Sequence, residues 1–292
     1  MKPSLVTSLI AFANGAYAHG GVYSYEIDGV HYDGYKWFDP PDNQTNLMQR
    51  RWYYWPVQDP LSENITCNYN GAAVPSAFHA PVHAGHTITA NWSNNYPFDK
   101  PGEPFYCDPA MTNRTCPAGF TCDFSCMYHH WYHGHGPLTA YLARCPPSPN
   151  GCSDANPSTL SWFKIAEEGL RPNHSITDAG AWMQGDLGAT VDHAAPGWTV
   201  RIPARLRAGN YLIRHEILMI ELDPPQFYPE CAQLAIEGDG DAEPGQEYLV
   251  KFPGAYQWSD PGIKVSGTLY YPEGRATRNY TVPGPKIWTG EF

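Results

Sequence analysis

Beyond its first twenty residues the sequence has no long apolar run, so no later segment is suited to cross a bilayer as a helix. Basic residues are scarce, 18 Lys plus Arg against 29 Asp plus Glu. The resulting net charge of −11 argues against nucleic acid or an anionic membrane as a partner. Internal repeats are missing, and so is a Ser/Thr/Pro-rich linker to an appended binding module. Helical periodicity is sparse, and no carboxylate pair stands out for glycoside hydrolysis. What is present is 29 Pro, 27 Gly and 20 Tyr among 292 residues, a composition of short strands joined by ordered loops. Aromatics, at 14%, suit both a core and the stacking of neutral sugar rings.

The first residues have the order of a secretory leader. Lys2 gives a positive start, Leu5 to Ala13 is a mostly apolar stretch, and Ala16-Tyr17-Ala18 is a small-x-small cleavage box. Residues 1–18 are therefore expected to be a signal peptide. His19 would become the first residue of a secreted, extracellular chain, and the loss of Lys2 would make its charge one unit more negative. Eight cysteines fit an oxidising compartment, and six N-x-S/T sequons, at Asn43, Asn64, Asn91, Asn113, Asn173 and Asn279, make glycosylation expected.

Residues 19–292 read as one domain, monomeric and not attached to a membrane. Its fold class is all-β: an immunoglobulin-like antiparallel sandwich of seven to nine strands, with long loops and few short helices. Alternating or apolar runs place strands near Val22–Gly29, within Val82–Trp92, and at Leu138–Ala143, Trp198–Pro203, Tyr211–Leu222, Cys231–Gly238 and Gly267–Tyr271. Ser161–Gly169 reads as a short helical turn. The segment from Asn94 to His130 holds Cys107, Cys116, Cys122 and Cys126 with little periodicity, and reads as a disulfide-stapled insertion. A zinc knuckle of Cys122, Cys126, His129 and His130 is the competing reading, disfavoured where thiols oxidise.

Three elements carry chemistry. A terminal His19 would offer a free amine and a ring Nδ1 on one residue, and nitrogen donors in a tetragonal set select Cu(II). The run Trp131-Tyr132-His133-Gly134-His135-Gly136-Pro137 precedes a strand and can supply a third nitrogen. In a strand, Gln226 and Tyr228 share a face, bringing an amide and a phenol to one place.

With these elements in place, the sequence resembles the fungal lytic polysaccharide monooxygenases of auxiliary-activity family nine, once classed as glycoside hydrolases. The resemblance runs through His19, Ile65-Thr66-Cys67-Asn68, the Gly136-Pro137 strand, Trp162-Phe163-Lys164-Ile165 and Gly209 to Glu216. It continues through Gln226-Phe227-Tyr228 with Cys231, and Val282-Pro283-Gly284-Pro285 with Trp288-Thr289-Gly290. It implies one copper ion braced by His19 and a second histidine, with Tyr228 axial and Gln226 hydrogen-bonding activated oxygen. It also implies disulfides Cys67–Cys231 and Cys145–Cys152, and a flat face on which Tyr280 stacks a sugar ring. The implied reaction is C1 or C4 hydroxylation of a β-1,4-glucan such as cellulose, using O2 or H2O2 and a small-molecule or protein electron donor.

Two positions depart from the family pattern. His-x-Gly-Pro would put the second ligand at Gly134, so the ligand is His133 if a residue is inserted, or His135 if one is deleted. An irregular loop absorbs an insertion more easily than a strand absorbs a slip, which favours His133. Glu221 stands where the family usually has a histidine behind the metal, and its charge would alter redox poise. His215 reads as structural. His31, His79, His83, His86, His174 and His193 read as solvated or satisfied in the core, while His129 and His130 are candidates to line the site.

Overall fold

A computed structural model describes residues 19–37, 39–94, 131, 133–178, 180–187 and 197–290. Residues 1–18, expected to be a signal peptide, and most of the cysteine-rich insertion, with His129, His130 and His193, lie outside the described residues.

Two sheets face each other. One holds β2 (Val30–Asp33), β1 (Gly20–Ile27), β4 (Thr87–Asn94) and β7 (Trp198–Arg201), in that order. The other holds β3 (Ala80–His83), β9 (Gln226–Glu237), β8 (Gly209–Met219), β5 (Leu138–Arg144) and β6 (Trp162–Glu168). Pairing is antiparallel throughout except at one edge, where β3 runs parallel to β9. The all-β sandwich is therefore as expected, with that one parallel edge pair added.

Period-two alternation in β8 and β9 builds two cores at once. Tyr211, Ile213, Ile217 and Met219 join Tyr228, Ala232, Leu234 and Ile236 in the space between the sheets. Leu212 and Leu218 join Phe227 and Cys231 on the outer face, where loops cover them. Two disulfides fasten those loops, Cys67–Cys231 and Cys145–Cys152, both in the pairing that the resemblance implies.

Two sequence-based assignments change. Ser161–Gly169 is not a helical turn but contains strand β6. Its Trp162 packs into the outer core while Phe163 and Ile165 enter the inner one, a strand's alternation. Gly267–Tyr271 is not a strand. Gly267 sits at φ +76° with its N–H on the Ile220 carbonyl, and the short helix α3 (Pro272–Ala276) follows at once. Only Leu269 of that stretch enters the core, leaving Tyr270 and Tyr271 about two-thirds exposed. The other α-helices, α1 (Met183–Asp186) and α2 (Pro261–Lys264), are single turns.

Candidate metal centre

The site forms where the starts of β1 and β9 meet the loop before β5. His19 immediately precedes β1. A register shift between Val22 and Ser24 marks a bulge in the pairing of β1 with β4. The Val22 N–H donates to Glu230 Oε2 at 2.6 Å, and Gln49 Nε2 donates to the same oxygen at 2.8 Å. Glu230 is fully buried, and burial, its first cause, pushes its carboxyl well above the usual range. Gly21 is obligatory beneath it, since a Cβ there would lie 1.8 Å from Glu230 Oε1.

β9 begins at Gln226, and alternation turns Gln226, Tyr228 and Glu230 toward β1. The Tyr228 hydroxyl donates to Gln226 Oε1 at 2.7 Å. Burial first, and the charge of Glu221 second, push the Tyr228 phenol well above its ordinary pKa. Its hydroxyl also lies 3.3 Å from His133 Nε2, and the His19 ring is centred 6.4 Å from the Tyr228 ring.

The loop before β5 is fixed at both ends of its turn. The Ile220 N–H donates to the His135 carbonyl and the Leu218 N–H to the Pro137 carbonyl, continuing the β8 ladder. Gly136, at φ +131°, leaves no room for a Cβ, which would meet the Leu218 oxygen at 1.9 Å. Trp131 is buried between His133 and Tyr228, with its indole N–H on Gln184 Oε1, and Gln184 in turn donates to the Gly136 and Leu218 carbonyls.

Glu221, just past β8, completes the arrangement. Its Oε1 accepts from the Gly134 N–H at 3.0 Å and lies 2.9 Å from His135 Nδ1, while its Oε2 lies 3.5 Å from His133 Nδ1. Burial favours the neutral acid here, but these donors outweigh it and hold the carboxyl well below the usual range. The His19 imidazole is lowered by burial and then by proximity to His133. Two imidazoles, the His19 one held toward its neutral form by burial, with a phenol beside them, are a donor set for a borderline divalent metal. Among the described residues no three His, Cys, Asp or Glu side chains converge as a metal cluster. The donor set here draws its third nitrogen from the main-chain amine that cleavage after Ala18 would free, and it fits copper.

Glu221 engages both His133 and His135 at Nδ1, and His133 is the one whose Nε2 faces the Tyr228 hydroxyl. His215 is fully buried among Tyr25, Trp92 and Trp198, and burial lowers its pKa to about 3, in keeping with a structural role. Tyr280 is half-buried, its ring edge-on to Trp182 and its hydroxyl donating to the Gly262 carbonyl. Sequence reasoning missed Trp55, half-exposed and 5.2 Å from the His19 ring, and Tyr270, whose phenol is raised by burial and then by Glu221. The aromatic run Trp52-Tyr53-Tyr54-Trp55 was the available signal for the first.

Comparison with known proteins adds an independent finding. The model of Auxiliary Activity family 9 (formerly GH61) matches residues 19–280. The AA9 family lytic polysaccharide monooxygenase B of Heterobasidion irregulare is 37% identical over 289 residues, covering 98% of both chains. The lytic polysaccharide monooxygenase-like protein CEL1 of Agaricus bisporus is 34% identical, covering 99% of this chain and 76% of its own. Among solved structures, HiLPMO9B superposes with a TM-score of 0.72 at 37% identity, covering 93% of this chain and 100% of its own. A cellulose-active polysaccharide monooxygenase from M. thermophila does so with a TM-score of 0.71 at 29% identity, covering 94% and 100%.

Proposed function

The chain belongs to auxiliary-activity family 9 and is a lytic polysaccharide monooxygenase, and we propose that it oxidises a β-1,4-glucan, cellulose or a close relative, at a copper ion held by His19 and His133. The observation that carries this reading is the meeting of His19, His133 Nε2 and the Tyr228 hydroxyl at the end of the sandwich. Copper, when bound, supplies the one-electron chemistry that lets O2 or H2O2 hydroxylate C1 or C4, given a small-molecule or protein electron donor.

The chain's own residues do the rest. His19 contributes its amine and Nδ1 once the signal peptide is removed, and secretion of the mature chain follows from the same leader. Tyr228, held by Gln226, would face the copper with a phenol that burial and then the Glu221 charge keep protonated. Gln226 spends its oxygen on Tyr228, which leaves its amide N–H groups to orient an incoming oxidant. Trp55, 5.2 Å from the His19 ring, and Tyr270, within electrostatic reach of Glu221, are exposed rings that would offer stacking platforms to a glucan. Tyr280, fixed by Trp182 and Gly262, would extend that face through its remaining open edge.

The test is the mature protein beginning at His19, loaded with copper and given cellulose and a reductant. Oxidised oligosaccharides in the mass spectrum, lost in His133→Ala and retained in His135→Ala, are the expected result. Retention of the wild-type copper paramagnetic spectrum in His133→Ala would show the ligand assignment to be wrong.

A further inference from the structure

Glu221 draws together the side chains of His133 and His135 and the N–H of Gly134 between them. Three donors on consecutive residues converge on one carboxylate, which is 20% exposed. An unpaired carboxylate at this depth would carry a desolvation cost, and the three donors offset it. The same contacts decide the direction of each ring. With Nδ1 of His133 turned toward Glu221 Oε2, its Nε2 is left facing Tyr228 at 3.3 Å. Nδ1 of His135 lies on Oε1 of the same carboxylate at 2.9 Å, so both rings are oriented through Nδ1 and His133 is the one whose Nε2 meets Tyr228.

We propose that Glu221 is the positioning residue of the second copper ligand: its carboxylate clamps His133-Gly134-His135, selects His133 Nε2 for the metal and makes that imidazole a stronger donor. The proposal rests on the reading that His133 binds copper. A carboxylate accepting the distal N–H of a ligating imidazole draws that proton toward itself and raises electron density at the other nitrogen. A stronger, more negative donor set favours Cu(II) over Cu(I), so the clamp lowers the reduction potential. The two local oddities, an extra residue in the loop and an acidic residue behind it, thereby become one device. Gly134 supplies one of the three donors and spaces the two imidazoles that supply the others.

The experiment uses the copper-loaded mature protein and compares Glu221→Gln, His135→Ala and His133→Ala by paramagnetic resonance, Cu(II) and Cu(I) affinities and apo-protein thermal melting. In Glu221→Gln, which keeps an acceptor oxygen but removes the charge, the Cu(II)-to-Cu(I) affinity ratio should fall about tenfold. That fall raises a one-electron potential by about 59 mV. His135→Ala removes a competing donor from the same carboxylate, so its ratio should shift the other way, by roughly threefold or less. A structural role would not give opposite signs. A change smaller than about twofold in Glu221→Gln with a normal apo melt, or a fall in both variants, would overturn the proposal. His133→Ala separates the layers: if it binds copper with the wild-type spectrum, the ligand reading fails, whereas if it loses the site and Glu221→Gln is silent, only the clamp fails.

Discussion

Two glutamates flank the proposed copper site and are held in opposite states. Glu230, under the amino-terminal strand, is completely buried and meets two donors among the described residues, so burial dominates and its carboxyl is pushed up. Glu221, behind His133, is partly exposed and meets three donors, so hydrogen bonding dominates and its carboxyl is pushed down. The difference lies in donor count against depth. One glutamate serves as a polar spacer that shapes β1, the other as a fixed negative charge that shapes a loop. Each therefore fixes one histidine of the brace by different physics.

The comparison breaks most severely at Gly21. Its Cβ would fall 1.8 Å from Glu230 Oε1 and 2.9 Å from the Trp52 ring. Gly21→Ala must displace Glu230, which leaves the Val22 N–H and the Gln49 amide without their shared acceptor. The expected loss is about 3 kcal/mol of unfolding free energy in urea. Copper affinity should fall as well, because His19 lies two residues upstream. A variant as stable as wild type would mean that Glu230 is not needed to seat β1.

How much of this was legible in the sequence depends on the range of the contact. His19 could be read from the leader, and Gln226 with Tyr228 from strand alternation, because those signals are local. The pairing Cys67–Cys231 came through the resemblance, since residues 164 apart in sequence announce no partner on their own. The choice between His133 and His135 stayed open for the same reason: it is made by Glu221, which reaches the loop from the far end of β8. Glu230 gave no signal, because its partners Val22 and Gln49 lie 208 and 181 residues away. Ser161–Gly169 misled because its alternation is short, and its partners β5 and Val250 lie outside the window.

A smaller effect sharpens the contrast through pH. For Glu221 the folded pKa lies below the unfolded one, so its stabilisation is present above about pH 4.5 and is lost as pH falls below it. For Glu230 the folded pKa lies above the unfolded one. The folded protein then holds the extra proton, and stability declines as pH rises from about 4.5 toward the folded value. His215 adds to the acid side, since a ring lowered from 6.5 to about 3 loses its contribution across that window. In metal-free protein, Glu221→Gln should flatten the acid limb and Glu230→Gln the opposite limb, read from urea midpoints between pH 3 and 8. Identical changes in both variants would erase the distinction between the two glutamates.

The smallest effect is expected at Gly134, the Glu221 counterpart of Gly21. Both glycines pack against a glutamate of the site, yet their surroundings differ. Among the described residues, nothing lies nearer to a Cβ at Gly134 than Glu221 Oε1, at 3.9 Å, an ordinary contact distance. What Glu221 takes from this residue is the backbone N–H, at 3.0 Å, and alanine supplies the same N–H. Gly134→Ala should therefore change stability by less than about 0.5 kcal/mol and leave the copper spectrum unaltered. Gly134→Pro removes that donor while leaving His133 and His135 in the sequence, so it should weaken copper binding through the clamp. Alanine tolerated and proline not would locate the requirement in the N–H bond itself. If alanine proved as damaging as it is expected to be at Gly21, the loop would be held by close packing, and the two sides of the site would work alike after all.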